Sequence, residues 1–95
     1  MPQDEAPRHN TEKKRFELQI GDALAFVAYR DLPNGTRVFV HTEVPPAVEG
    51  HGVGSRLVKA ALDEAKAAGR HVAAPCPFVA GYIARHQEYE SLTSA

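Results

Sequence analysis

The 95 residues contain one cysteine, Cys76, so no disulfide can close within the chain and nothing points to an oxidising compartment. No apolar run approaches the ~20 residues of a membrane-spanning helix. Charge of one sign is not in excess: 11 Lys+Arg stand against 12 Asp+Glu. That balance argues against a general nucleic-acid binder, which carries a basic surplus. Five histidines and the lone cysteine show no zinc-ligand spacing. Internal repeats and low-complexity tracts are absent. The stretch Met1 to Lys14 lacks the apolar segment of a secretory signal, so a cytoplasmic protein with no membrane association is expected. What remains is an ordinary globular composition, 43% hydrophobic and 24% charged, long enough for one small domain. Its core is thin, and a ligand or partner subunit is expected to add stability. A monomer or weak homodimer is the expected state.

Residues 1–14 hold two prolines and several charges without apolar periodicity, and read as a flexible leader. Order is expected from Arg15. Phe16, Leu18 and Ile20 alternate with Glu17 and Gln19, the period-two signature of a half-buried strand. Gly21-Asp22 suits a two-residue, glycine-first hairpin turn, and Ala23 to Arg30 is the return strand. A second reversal ends in Asn34-Gly35, and Thr36 to Val44 is the third strand. Its run Val38-Phe39-Val40 predicts a central position covered on both faces. Pro45-Pro46 stops that strand.

A helix is predicted from about Gly54 to Ala68, with Val53, Leu57, Ala61 and Ala65 as its apolar stripe, widened by Val58 and Leu62. Gly69 ends it. A short fourth strand, 71–74, precedes Pro75-Cys76-Pro77. A second helix is expected over 78–90, with Phe78, Val79, Tyr82, Ile83 and Tyr89 facing the sheet. Residues 91–95 read as frayed. The order β-β-β-α-β-α is an α+β fold, a mixed sheet of antiparallel hairpins and one parallel strand pair made by a right-handed crossover. Residues 15–90 form the domain.

Between the third strand and the first helix lies Glu49-Gly50-His51-Gly52-Val53-Gly54-Ser55. The first amides of a helix lack intrahelical partners and sit at the positive end of its dipole. Glycines let a phosphate come close to such amides. The bland alternative is a glycine-rich turn that merely starts a helix. A P-loop requires Lys-Ser/Thr after its second glycine, which Gly54-Ser55-Arg56 does not supply. A Rossmann fingerprint requires G-x-G-x-x-G after a βαβ context, whereas this loop is G-x-G-x-G after hairpins.

The segment resembles the acyl-CoA loop, Gln/Arg-x-x-Gly-x-Gly/Ala, of the GNAT superfamily of N-acetyltransferases. With Val40-His41-Thr42-Glu43-Val44-Pro45, Pro75-Cys76-Pro77-Phe78 and Tyr82 to His86, the chain is similar to a minimal, single-domain GNAT-like branch. That branch has a His on the third strand and a Cys after the fourth. The resemblance implies a GNAT acyl-CoA N-acyltransferase fold reduced to its cofactor-binding core. It also implies acetyl-CoA as donor and an amine acceptor, a protein lysine or a small amine. By the same resemblance pantetheine would lie along Glu43 and Val44. The pyrophosphate would lie on residues 50 to 55, that is Gly50, His51, Gly52, Val53, Gly54 and Ser55. The adenosine end would lie toward Arg85 and His86. Glu49 departs from the usual Gln or Arg and sets a carboxylate beside the pyrophosphate; His51, Arg56 and Lys59 are the residues that would offset it.

His41 and Cys76 are the candidate catalytic residues. Taken singly, His41 reads equally as a hydrogen-bonded strand histidine, and Cys76 as a small buried hydrophobe. Acetyl transfer needs a neutral amine and a proton for the departing thiolate. An imidazole with a pKa of ~6.5 suits the first and a thiol near ~8.5 the second. Tyr82 is a further donor candidate. Two routes are open: direct transfer, or an acetyl-cysteine formed by a Cys76 thiolate paired with His41. Alternation predicts that His41 shares a face with Phe39 and Glu43. The alternative function is a non-catalytic CoA-binding sensor or interaction module.

Overall fold

The computed structural model describes residues 6–93. The first five and last two residues, parts of the expected leader and frayed end, lie outside the described residues. The strands are β1 (Arg8–Asn10), β2 (Arg15–Ile20), β3 (Ala23–Asp31), β4 (Arg37–Glu43) and β5 (Val72–Ala73). The helices are α1 (Val53–Ala67) and α2 (Pro77–Arg85), with 3-10 turns at Pro46–Val48 and Gln87–Thr93. Sheet order follows chain order, β1-β2-β3-β4-β5. The first three pairings are antiparallel and the last, through α1, is parallel. This is the mixed α+β sheet expected, with one strand more.

That strand corrects the expected leader. Arg8, His9 and Asn10 pair with Glu17, Phe16 and Arg15. The His9 ring stacks on Phe16 at 4.1 Å, its Nε2 hydrogen-bonds the Tyr29 hydroxyl, and Asn10 donates to Glu17. Folded structure among the described residues therefore begins before Arg15. At the other end, Ser91, Leu92 and Thr93 belong to a 3-10 turn rather than a frayed tail. The second helix also ends early, at Arg85. His86 leaves helical geometry (φ -130°) as its Nδ1 bonds the Tyr82 carbonyl.

The β2–β3 hairpin turns through Gly21 (φ +59°) with Ile20 opposite Ala23, the two-residue turn expected. Period two then decides the faces. Ala25, Val27 and Tyr29 of β3 are buried with Phe16, Leu18 and Phe39 against α1. From α1 come Leu57, Val58, Ala61, Leu62 and Ala65, all buried, so the predicted stripe is the packing face. Each fully buried Leu or Val stabilises by about 1.5–3 kcal/mol. The opposite face of β3, Leu24, Phe26 and Ala28, is half-buried.

β4 is fourth in a sheet of five, yet Val40 is 41% exposed, so the predicted cover on both faces fails there. The cause is a register shift. Tyr29 faces Phe39 while Ala28 faces His41, leaving Val40 as an extra residue in β4. Past this bulge the alternation inverts. Phe39 points into the core, and His41 lies on the open face with Glu43. Thr42, opposite buried Val27, turns toward the core.

The two ends of β4 differ in kind. At its start, buried Arg37 bonds both carboxylate oxygens of Asp31, at 2.8 and 3.1 Å, and Glu64 at 2.7 Å, over the Tyr29 ring. Its far end opens onto a cleft. No helix among the described residues is long and apolar enough to cross a membrane.

Candidate functional site

β4 and β5 share only two rungs, Arg37 with Val72 and Val38 with Ala73. Pro75 then turns the chain, and the Cys76 amide donates to the Phe39 carbonyl at 3.3 Å. Beyond this point β4 has no strand neighbour on that side among the described residues, and its end, Thr42 to Val44, forms one wall of a cleft of about 700 Å³. The loop contributes Glu49, Gly50 and Gly52, the start of α1 contributes Val53, Gly54 and Ser55, and α2 contributes Phe78 and Arg85. The volume lies within the range of small-molecule sites.

The glycines do different work. Gly52 caps α1 in the left-handed region (φ +73°), and Gly50 has φ +85°. A Cβ at either would meet nothing within 4 Å, so the space before them is open to a ligand. Gly54 is ordinary helix, but a Cβ there would stand 2.5 Å from the tip of the Phe78 ring. Its glycine lets α2 close on α1. The first hydrogen bond of α1 runs from the Arg56 amide to the Gly52 carbonyl, at 3.0 Å. The amides of residues 53 to 55 precede it, with no side-chain cap and no acid in the first turn. That end of the helix is built to favour an anion.

Of the expected cofactor residues, Glu43, Val44, Gly50, Gly52, Val53, Gly54, Ser55 and Arg85 line this cleft. Three others, His51, Tyr82 and His86, are not among its lining residues. His51 is exposed on the loop. Tyr82 is buried, its ring stacked on His86 at 3.9 Å, and burial raises its phenol pKa. Lys59, expected to offset Glu49, pairs with Asp63 at 2.9 Å. Sequence reasoning missed Thr42 and misplaced Phe78, which lies in the cleft at 41% exposure rather than on the sheet. Thr42 stood in the His-Thr segment that carried the resemblance, but its inward direction depends on the bulge. For Phe78 the available signal was Gly54, a helical glycine without a turn to explain it.

The candidate catalytic residues occupy opposite faces of β4. His41 is exposed, and its Nε2 lies 2.9 Å from Glu43 Oε1. Cys76 is buried under the strand, its Sγ 3.4 Å from Thr42 Oγ1. The expected pairing of Cys76 with His41 is not formed, because the bulge turns His41 outward. Burial pushes the Cys76 thiol pKa up. The Thr42 hydroxyl and the amides of Val79, Phe78 and Thr42 outweigh it, and the net shift is downward. Cys76 is the N-cap residue of α2, with Pro77 next, so those helix amides stand near the sulfur without a formal cap bond.

A family model described as GCN5-related N-acetyl-transferase matches residues 15–92. Among solved structures, the chain is similar to a GCN5-like N-acetyltransferase candidate from Staphylococcus aureus, determined by solution NMR. The TM-score is 0.74 and the identity 26%, covering 97% of this chain and 89% of that one. No curated protein matches the chain.

Proposed function

The chain belongs to the GCN5-related N-acetyl-transferase family, and from that premise we propose that it moves the acetyl group of acetyl-CoA to a primary amine. The observation that carries this reading is the cleft itself. The start of α1, without a side-chain cap among the described residues, and the open space before Gly50 and Gly52 line one cleft with the end of β4. The pyrophosphate would rest on the amides of residues 53 to 55, with Arg85 as the cation within reach. Pantetheine would follow the β4 end toward Thr42.

His41 serves the acceptor side. It stands at the rim, on the open face of the sheet, and Glu43 orients its imidazole. It takes the proton that the amine must lose, directly or through one water. Transfer is direct: Cys76 lies behind Thr42 rather than on the cleft wall. The acceptor is a protein lysine or a small amine approaching from that open face, and the protein acts as a monomer or weak homodimer in the cytoplasm. Residues 15–90 carry the activity.

The test is CoA-dependent thermal stabilisation together with thiol release from acetyl-CoA over a panel of amines and basic peptides. Ligand at 100 times its dissociation constant adds about 2.7 kcal/mol. In a domain of this size that raises Tm by about 10–20 °C. Gly52→Val, strained at a positive φ, should abolish this rise while the chain still folds. Stabilisation without any thiol release would leave only the non-catalytic CoA-binding module. An unchanged CoA affinity in Gly52→Val would remove the loop from the site.

A further inference from the structure

We propose that Thr42 is a catalytic residue that passes a proton from Cys76 to the departing sulfur of the acetyl donor. The role rests on the acetyl-transfer reading above. Three observations carry it. Thr42 lines the cleft wall and Cys76 does not. Cys76 is buried, at 7% exposure for the whole residue. Its one side-chain hydrogen bond among the described residues is to Thr42 Oγ1, at 3.4 Å, and either atom can donate. A hydroxyl is both donor and acceptor, so it can give one proton and take another at the same oxygen. The bulge at Val40 makes this arrangement: without the extra residue, position 42 would face outward and His41 inward.

The step balances as follows. The amine nitrogen bonds the acetyl carbon, and the carbon–sulfur bond breaks with its electron pair remaining on sulfur. Thr42 gives its hydroxyl proton to that sulfur and takes the Sγ proton of Cys76. The surplus proton of the amine leaves through His41 to water, and a water proton restores the thiol. The amides at the start of α2 ease the transient thiolate, and no charged side chain is among the largest influences on it. Cys76 thus acts as a positioning residue and proton store behind Thr42.

The test compares Thr42→Val, which keeps the shape and loses the hydroxyl, with Thr42→Ser, which keeps the hydroxyl. Thr42→Val should lower kcat about 100-fold, in the range of general acid catalysis, at unchanged KM for acetyl-CoA. Thr42→Ser should recover most of the rate. In a double-mutant cycle, Thr42→Val with Cys76→Ala should be no slower than the slower single variant. Losses that multiply, or a Thr42→Val rate within a few-fold of the parent, overturn the relay.

A readout independent of turnover separates this from failure of the acetyl-transfer reading. Cys76 is the only cysteine, so isotopically labelled cysteine gives one Cβ resonance whose pH titration follows the thiol. Adding CoA should move that titration in the parent and leave it unmoved in Thr42→Val. If the parent releases no thiol from acetyl-CoA yet shows this coupling, the transfer reading falls and takes Thr42's catalytic role with it, leaving only a hydrogen-bonded link between the thiol and the bound sulfur. If CoA binds and the titration does not move, the relay falls.

Discussion

Glu49 sets a carboxylate on the cleft wall, near the helix amides that favour an anion. Two of the three residues expected to offset it are placed otherwise: Lys59 is engaged by Asp63, and His51 is exposed on the loop. Glu49→Gln should therefore tighten CoA binding, by up to about 1 kcal/mol or roughly five-fold for an exposed charge. Calorimetric titration at low salt checks this, and the gain should shrink as salt is raised. Weaker binding by the variant would give Glu49 a favourable contact with the ligand. Such single-residue effects were legible where a motif carried them, as at the glycines. Phe78 was harder to read: its place depends on a neighbour distant in sequence, Gly54, having no side chain, and that glycine is its one signal.

Among the elements, β1 is held by side chains rather than by an apolar pattern. His9 stacks on Phe16 and meets the Tyr29 hydroxyl. Burial lowers its pKa, and of the charges around it Glu64 and Asp31 oppose that shift while Arg37 and Arg70 add to it. A depressed histidine pKa means that the unfolded chain binds more protons in mild acid. The His9 contribution is thus complete above the unfolded value of ~6.5 and is lost as pH falls through the depressed folded value. Asp31 and Glu17, also held low, lose theirs only below ~4, outside this window. The urea midpoint should therefore drop between about pH 7.5 and about pH 5.5, which bracket that histidine value. His9→Gln should flatten the change, and hydrogen exchange should show β1 opening first. The same element explains what the sequence concealed. α1 was legible because its stripe repeats at helical period over fifteen residues. Three polar residues, Arg8, His9 and Asn10, have no period, and their strand exists only because Phe16 and Tyr29 are already in place. The bulge at Val40 was equally hidden, since it is a property of the β3–β4 pairing and not of β4 alone. Past it, one added residue turned His41 to the face opposite Phe39 and so separated the two candidate catalytic side chains.

Across the whole molecule, β4 joins two unlike ends about 20 Å apart, at about 3.3 Å per residue. One is closed by Arg37 between Asp31 and Glu64; the other is the cleft. Arg37 is buried but Asp31 and Glu64 are partly exposed, so its loss costs about what hydrogen bonds to charged groups contribute, about 1.5–3 kcal/mol, out of the roughly 5–15 kcal/mol of a small domain. Arg37→Ala should lower stability by that amount in denaturant while the folded fraction keeps its CoA affinity. A parallel loss of affinity would mean that the two ends communicate through the strand. The brevity of the β4–β5 pairing bears on how the molecule comes to exist. β1 to β4 form a meander of local hairpins, which can assemble early at small entropic cost. The two parallel rungs join segments far apart in sequence and can form only once α1 has crossed the sheet. The groove beside them is consequently the last feature of the nascent chain to appear. A molecule that settles there finds nothing to hold until assembly is complete, and so prolongs the lifetime of the finished fold without hastening its birth.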